Sequence, residues 1–424
     1  MNASHVERFR WRAIVLAVLF LGCQPASGGP QLSLGPAASP PAFDQLRWSQ
    51  ASINVGQYEG IADVAATAVG WVAGGYGLNL PYVTQMPTPG KDPMADFTSA
   101  IIWTSADGLE WSRVPDGPEF DGARISDVVG HGNVALAFGI GGVCLPDACS
   151  GLPPNGGTIV WSSDDGKRWQ RLEKTGLEDG AVTRVIDTGG GLIAVGYVAN
   201  QGSKPDGDPF SDPTDAAVWR SADGRLWERV PGLPVADDLR FLYGVGRRLL
   251  AMGSRSSASV AWTSADAGAT WIEATGAAES CCQTAAALRE QVIVVSDAGQ
   301  SGTSNGYVSS TDLSAHTWST TSPTEMAGYR PVIVRAMGSS FVVFGFRVHA
   351  DLDLGTVDDA PATFSSLDGA NWTAANLPAT WGSRGPIAVG ESGRQMVAIL
   401  MSLDTFSAPG ADLTPTIWFG TADK

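Results

Sequence analysis

The sequence predicts an all-β protein, a seven-bladed β-propeller of four-stranded blades, and three observations carry that prediction. The first is a phrase, WTSADGLEW (Trp103 to Trp111), that recurs at roughly blade-length intervals. It returns as WSSDDGKRW (Trp161 to Trp169), WRSADGRLW (Trp219 to Trp227), WTSADAGATW (Trp262 to Trp271) and FSSLDGANW (Phe364 to Trp372), with a degraded copy VSSTDLSAHTW (Val308 to Trp318). Each copy reads as a short β run, a Ser-x-Asp turn with Gly near its apex, and a second run opening on Trp, which is a tight hairpin. The second observation is a pair of apolar runs upstream of every copy, as in ISDVVGHGNVALAFG (Ile125 to Gly139) and VTRVIDTGGGLIAVG (Val182 to Gly196). Two strands from the pair and two from the hairpin make a blade.

The third observation concerns closure. The last unit stops at TIWFGTADK (Thr416 to Lys424), before its final strand, while LRWSQAS (Leu46 to Ser52) has no hairpin ahead of it yet reads like LEWSRVP (Leu109 to Pro115). The N-terminal strand is therefore expected to complete the last blade, so that neither edge is left open. A β-sandwich of this size would not require such a period.

The hairpin phrase resembles the Asp-box, or BNR, repeat of sialidase-like β-propellers, S-x-D-x-G-x-x-W. Ser264, Asp266, Gly268 and Trp271 match it, as do Ser162, Asp164, Gly166 and Trp169; the copies at Ser105, Ser221 and Ser366 have a turn one residue shorter. The aspartates Asp107, Asp164, Asp223, Asp266, Asp312 and Asp368 are expected to be structural, accepting N–H bonds within their own turns. Such repeats occur in hydrolases, receptors and assembly factors, so the resemblance implies a fold more than an activity.

At 424 residues and 44% apolar content, with 52 Gly and 26 Pro, one large turn-rich domain is favoured over several. Arg8, Arg10 and Arg12, the apolar run Ala13 to Gly22 and then Cys23 read as an export signal over residues 1–22. Leu21-Gly22-Cys23 resembles a bacterial lipobox, which implies acylation at Cys23; plain secretion is the alternative. Residues 23–42 read as a flexible tether and 43–424 as the propeller. Removal of residues 1–22, with three Arg and one Glu, takes the formal charge from −16 to −18, which argues against nucleic acid as a partner. The expected relation to membrane is through the lipid alone, and the expected state is a monomer. Cys144 and Cys149 flank LPDA and suit a disulfide in an exported chain; whether Cys281 and Cys282 pair is left open. Four His and no C-x-x-C or H-E-x-x-H give no zinc pattern.

Connections between second and third strands are long, namely Gly75 to Ser99, Ile140 to Gly157, Tyr197 to Asp215, Phe346 to Pro361 and Met401 to Pro415. They share one face, the natural binding face, opposite the Ser-x-Asp turns. Arg124, Arg184, Arg240, Arg330 and Arg384 each lie near the start of an innermost strand and are the candidate ligand-binding set for a carboxylate or another anion. The alternative for them is loop charge offsetting an acidic surface. No cofactor is expected. The acidic groups Asp206, Asp208, Asp212, Asp215 and Asp351, Asp353, Asp358, Asp359 offer hard oxygen ligands for calcium, but they lack the D-x-[DN]-x-[DN]-G pattern and read as solvated charge.

The sialidase resemblance implies an arginine triad on a carboxylate, a Tyr nucleophile with a Glu partner, and an Asp acid/base. Tyr329, followed by Arg330, stands where that nucleophile is expected. The first blade, NVGQYEGIADV (Asn54 to Val64), has no Arg, and neither Glu273 nor Glu279 is well placed. The reading is an exported, membrane-tethered, non-catalytic binding module for a protein or glycan, with a sialidase-like glycoside hydrolase as the alternative.

Overall fold

Seven four-stranded antiparallel sheets follow one another along the chain in the computed structural model, which describes residues 40–56, 59–78, 98–141, 157–199, 214–256, 258–274, 284–297, 306–351, 356–402 and 414–422. Six sheets use four consecutive strands. The seventh pairs Arg384–Ser392, Gln395–Ser402 and Thr416–Ala422 with Leu46–Gln50 from the other end of the chain, Trp48 facing Gly420 and Gln50 facing Trp418. The protein is a seven-bladed β-propeller closed by its N-terminal strand.

Size complementarity explains the blade core. Trp103, Trp161, Trp219, Trp262 and Trp418 occupy one register position on the third strands, and each faces an alanine on the second strand: Ala73, Ala137, Ala194, Ala251 and Ala398. In blade 6 the aromatic is smaller and its partner larger, Val343 facing Phe364, and in blade 5 the pair is Val294 and Ser309. A near-constant summed volume in the six blades with an aromatic keeps those sheets at close-packed spacing.

Innermost strands carry a β-bulge at the same place in blades 1, 2, 3, 4, 6 and 7, at Ala62, Ser126, Thr183, Arg240, Val332 and Ile387. A bulge disrupts the ladder and leaves backbone groups to be satisfied elsewhere. Neighbouring blades do this: Asp63 accepts from the Val128 N–H, Asp127 from Val185, and Thr284 Oγ from Val334. Opposite the pinch the second strand carries glycine in blades 1, 2, 3, 4 and 6, and Leu400 in blade 7. A Cβ at Gly75 would stand 1.9 Å from the Gly60 carbonyl oxygen and one at Gly139 2.3 Å from that of Arg124, closer than any real contact.

Each Ser-x-Asp turn is a self-contained hydrogen-bond network. In blade 1 the Ser105 hydroxyl accepts from the Gly108 N–H, Asp107 accepts from Leu109 and Glu110, and the Trp111 indole N–H reaches the Gly108 carbonyl. Blades 3 and 6 repeat this with Asp223 and Asp368. Blade 4 lengthens the turn by one residue at Ala267, which takes positive φ. There burial alone would raise Asp266, but the Thr270 N–H and hydroxyl and the Ser264 hydroxyl outweigh it and bring it down to about 2. In blade 5 Asp312 accepts from the Ser314 N–H and hydroxyl.

Blade 2 requires a correction. Its network is made by Ser163 and Asp165, not by Ser162 and Asp164: Gly166 N–H donates to Ser163 Oγ, and the Lys167 and Arg168 N–H groups donate to Asp165. The turn is therefore the shorter form, one residue on from the frame expected. Both frames exist in the Ser-Ser-Asp-Asp doublet, and the shorter one puts the first residue of the turn at the Ser105 and Ser221 register. The Arg168 and Lys167 donors hold Asp165 well below the usual carboxylate range. Its stabilisation is present above the ordinary Asp range and is lost as pH falls toward the depressed value. Asp165→Ala is expected to lower the melting temperature by about 2 °C at pH 7, and Asp164→Ala to leave it unchanged. Equal melting of the two variants by calorimetry would remove this assignment.

Candidate functional site

The bulge sets a common ruler for the innermost strands, and on it the five arginines do not form a ring. Arg124 and Arg330 are equivalent, one residue before the bulge pair, facing Ile140 and Phe346. Arg240 is itself the bulged residue, Arg384 opens its strand opposite Ser402, and Arg184 lies just past the bulge. Arg124 and Arg330 therefore stand at one level on the long-loop side of the ring.

Arg184 is withdrawn from the binding set by its environment. The register step at Thr183 gives it the position held by Asp63 and Asp127 in blades 1 and 2, where it is 4% exposed. Its guanidinium bonds Asp127 at 2.6 Å and lies 3.6 Å from Asp63. It acts inside the ring. Arg240 is clamped by its own strand, Nε and Nη2 donating to Asp238 at 2.7 and 2.6 Å. The Arg330 guanidinium lies over the Phe346 ring at 5.6 Å, a cation–π geometry.

Around Arg124 the structure brings together residues that the sequence did not single out. Tyr76 of blade 1 and Tyr197 of blade 3 occupy equivalent positions two residues before the ends of their second strands, each directly after the glycine that faces the bulge. Arg124 lies in the blade between them. Burial lowers the guanidinium, and the two phenols act against that shift. Burial in turn raises both phenols, and Arg124 pulls each back. All three side chains are partly buried, and both phenols lie within electrostatic reach of the Arg124 guanidinium. The first-blade counterpart of Arg124 is Gly60, and the Tyr76 ring occupies its side-chain space, 2.7 Å from where a Cβ would stand. Blade 1 contributes a phenol where blade 2 contributes a cation.

Tyr329 does not stand as a nucleophile. It is 0% exposed, packed edge-on against Phe364 at 4.9 Å, with its hydroxyl 3.0 Å from the Ala362 carbonyl oxygen and 3.3 Å from that of Val343. Burial raises its phenol well above the ordinary value, with Arg347 opposing. A nucleophile needs access, and Tyr329 has none in this arrangement. Glu273 is ion-paired to Arg255 on the outer edge of blade 4.

The blade 6 connection is less of a loop than its composition suggests. Ser340–Asp351 and Thr356–Ser366 pair almost throughout, so Asp351, Asp358 and Asp359 belong to paired strands. Asp215 belongs to a third strand, opposite Val198. Cys23, Cys144, Cys149, Cys281, Cys282, Asp206, Asp208, Asp212, Asp353 and Glu279 lie outside the described residues, as do residues 1–39. Among the described residues no cluster of three His, Cys, Asp or Glu side chains is arranged for a metal ion.

No protein-family model matches the chain, and no curated protein matches it. Solved propellers do resemble it in shape. YCF48 bound to D1 peptide aligns with a TM-score of 0.48 at 13% identity, covering 91% of this chain and 100% of that one. The Niastella koreensis GH74 enzyme aligns with a TM-score of 0.48 at 14% identity over 85% of this chain, and Trypanosoma rangeli sialidase in complex with the inhibitor DANA with 0.43 at 10% over 87%. This chain spans about half of those two enzyme chains, 54% and 55%. The likeness is one of fold, and it embraces a peptide-bound propeller and glycoside hydrolases alike.

Proposed function

We propose that this protein is an exported β-propeller, tethered to a membrane through Cys23, that acts as a monomeric, non-catalytic binding module for a protein or glycan through its long-loop face. The group it holds there is a carboxylate. One observation carries the reading: the Arg124 guanidinium stands between Tyr76 and Tyr197 at the channel rim, a cation flanked by two hydroxyl donors in a partly desolvated setting, which is the donor set a carboxylate accepts from. Arg330, at the same level on blade 6, offers a second cation across the rim.

The chain path suits a tether. Pro41 accepts from the Ser339 N–H in the turn joining the two inner strands of blade 6, at the opposite ends of the strands from Arg124 and Arg330. A tether attached there leaves the long-loop face turned away from the membrane. The enzyme alternative loses its nominated nucleophile to the core of blade 6.

Binding is best tested on the purified protein with an array of acidic and neutral glycans and a set of peptides with free or amidated C-termini. Carboxylate-bearing members are expected to bind. Arg124→Ala should weaken them about ten- to a hundredfold, the loss of one charge-assisted contact, with a smaller loss for Tyr197→Phe. A fluorogenic sialoside should show no turnover above a heat-killed control. Turnover abolished by Tyr329→Phe would establish the hydrolase instead, and affinity indifferent to Arg124→Ala would return that residue to surface charge.

A further inference from the structure

On the turn face, at the other end of the strands from Arg124, one histidine joins blade 2 to blade 3. His131 ends the first strand of blade 2, and both of its ring nitrogens meet the next blade. Nδ1 lies 2.9 Å from Asp187 Oδ2, and Nε2 lies 3.0 Å from the Ala222 carbonyl oxygen. Asp187 ends the first strand of blade 3, and Ala222 lies in that blade's Ser-x-Asp turn. The His131 and Asp187 side chains are 20% and 10% exposed, a setting in which an unmade hydrogen bond is costly.

Each of these two contacts recurs at another joint, made there by a donor that does not titrate. Asp187 stands three residues past Arg184, and Glu391 holds the same register in blade 7, three past Ala388. Glu391 accepts the Gly338 backbone N–H, from the inner turn of the preceding blade, at 2.8 Å. Between blades 5 and 6, Gln291 at the end of the inner turn donates from Nε2 to the Asp368 carbonyl of the next blade's turn at 2.7 Å. In both joints the preceding blade donates and the following blade accepts. His131 makes both contacts with one ring. A carbonyl oxygen only accepts, as does an ionised carboxylate, whereas a neutral imidazole carries a single N–H. The arrangement therefore calls for hydrogen on both ring nitrogens, one proton more than a neutral histidine beside a carboxylate.

The surroundings add no second charge. Asp187 Oδ1 accepts the Gly189 N–H at 2.7 Å, which holds the carboxylate in place. Asp223, next to Ala222, accepts from the Arg225 and Leu226 N–H groups of its own turn. Blade 1 packs at Gly130 through Thr67 and Ala66, and the inner turn of blade 2 is Gly132 and Asn133, all uncharged. Among the described residues Asp187 is the only ionic partner of His131.

We propose that this joint is a proton-dependent clasp, closed by His131 as an imidazolium held between Asp187 and Ala222 and loosened when the proton leaves. A histidine in the unfolded chain gives up its proton above about pH 6.5. The clasp retains it, so the stability it supplies is complete below that pH and is lost as pH rises through the value at which the folded pair releases the proton. A neutral ring can donate to only one of its two acceptors, so blade 3 then loses one of its two ties to blade 2. The clasp is independent of the binding rim, since none of its residues belongs to the Arg124 set.

The test reads the ring nitrogens by magnetic resonance in purified protein carrying nitrogen-15 histidine. The His131 signals, identified by their loss in His131→Gln, should show hydrogen on both nitrogens at about pH 7.5, and on Nε2 alone in Asp187→Asn. Glutamine at 131 offers N–H donors without titrating, as Gln291 does. Above about pH 6.5 the wild-type melting temperature should therefore fall faster than that of His131→Gln, by about 2–3 °C per pH unit. The contribution of Asp127 is common to both proteins and cancels. Hydrogen on only one His131 nitrogen in the wild type at neutral pH overturns the proposal, and so do melting curves of the two proteins that run parallel as pH rises.

Discussion

Deleting Phe43–Gln50 is expected to open the ring and lower the melting temperature by roughly 10 °C or more. The segment supplies the outer strand of blade 7, and with it the Phe43 and Leu46 side chains, both buried, and the Trp48 ring. Trp48 meets Trp381 edge-on at 5.1 Å, and Trp381 also packs on Trp418 and Phe344 at 6.0 and 6.3 Å. Burial of Phe43 and Leu46 alone is worth about 3–6 kcal/mol, and removing the strand also exposes the Thr416–Ala422 edge to pairing with other chains. At about 2 °C per kcal/mol for a chain of this size the shift follows. A synthetic peptide spanning residues 41–52 should restore much of it when added in trans, and a scrambled peptide should not. An unchanged melt in the deleted protein, or equal rescue by both peptides, would show that the ring closes by other means.

Closure was legible because it rests on chain-local likeness: LRWSQAS and LEWSRVP are the same strand written at two places. Blade number and the opposition of turns to long connections follow from the same periodicity. What the sequence hid was register. A bulge is one extra residue with no letter of its own, and it moved Arg184 from the rim to the interior while leaving Arg124 where position alone would put it. In blade 2 a doublet of serines and aspartates offered two frames, and only the hydrogen bonds select Ser163 and Asp165. Tyr329 looked like a nucleophile by its place before Arg330, but a tyrosine opening an innermost strand can turn into the blade, as this one does. Tyr76 and Tyr197 carried a usable signal: each follows a glycine that faces the bulge, in GGYG and VGYV, so the residue after it must stand at the rim.

Replacing Arg184 with methionine should cost about 3–5 kcal/mol, because it leaves the Asp63 and Asp127 carboxyls buried without their cation. Those carboxyls cannot turn away, since each accepts a neighbouring blade's backbone N–H, Val128 to Asp63 and Val185 to Asp127. The loss is therefore electrostatic rather than volumetric. Methionine keeps most of the packing, and adding Asp127→Asn removes one of the two buried carboxyls while retaining an oxygen for the Val185 N–H. The double variant should accordingly recover roughly half of the loss. Asp127 also fixes a sign for pH. Because burial and Asp63 raise its carboxyl, the fold holds a proton that the unfolded chain releases above about pH 4; the stability it supplies is complete below that pH and declines as pH rises through the folded value. Asp127→Asn in the wild-type background should flatten that decline. Urea titrations of the four proteins between pH 4 and 8 read both effects at once. Should Arg184→Met cost less than about 1 kcal/mol, or the double variant fall below the single one, the cluster is held by packing and not by charge.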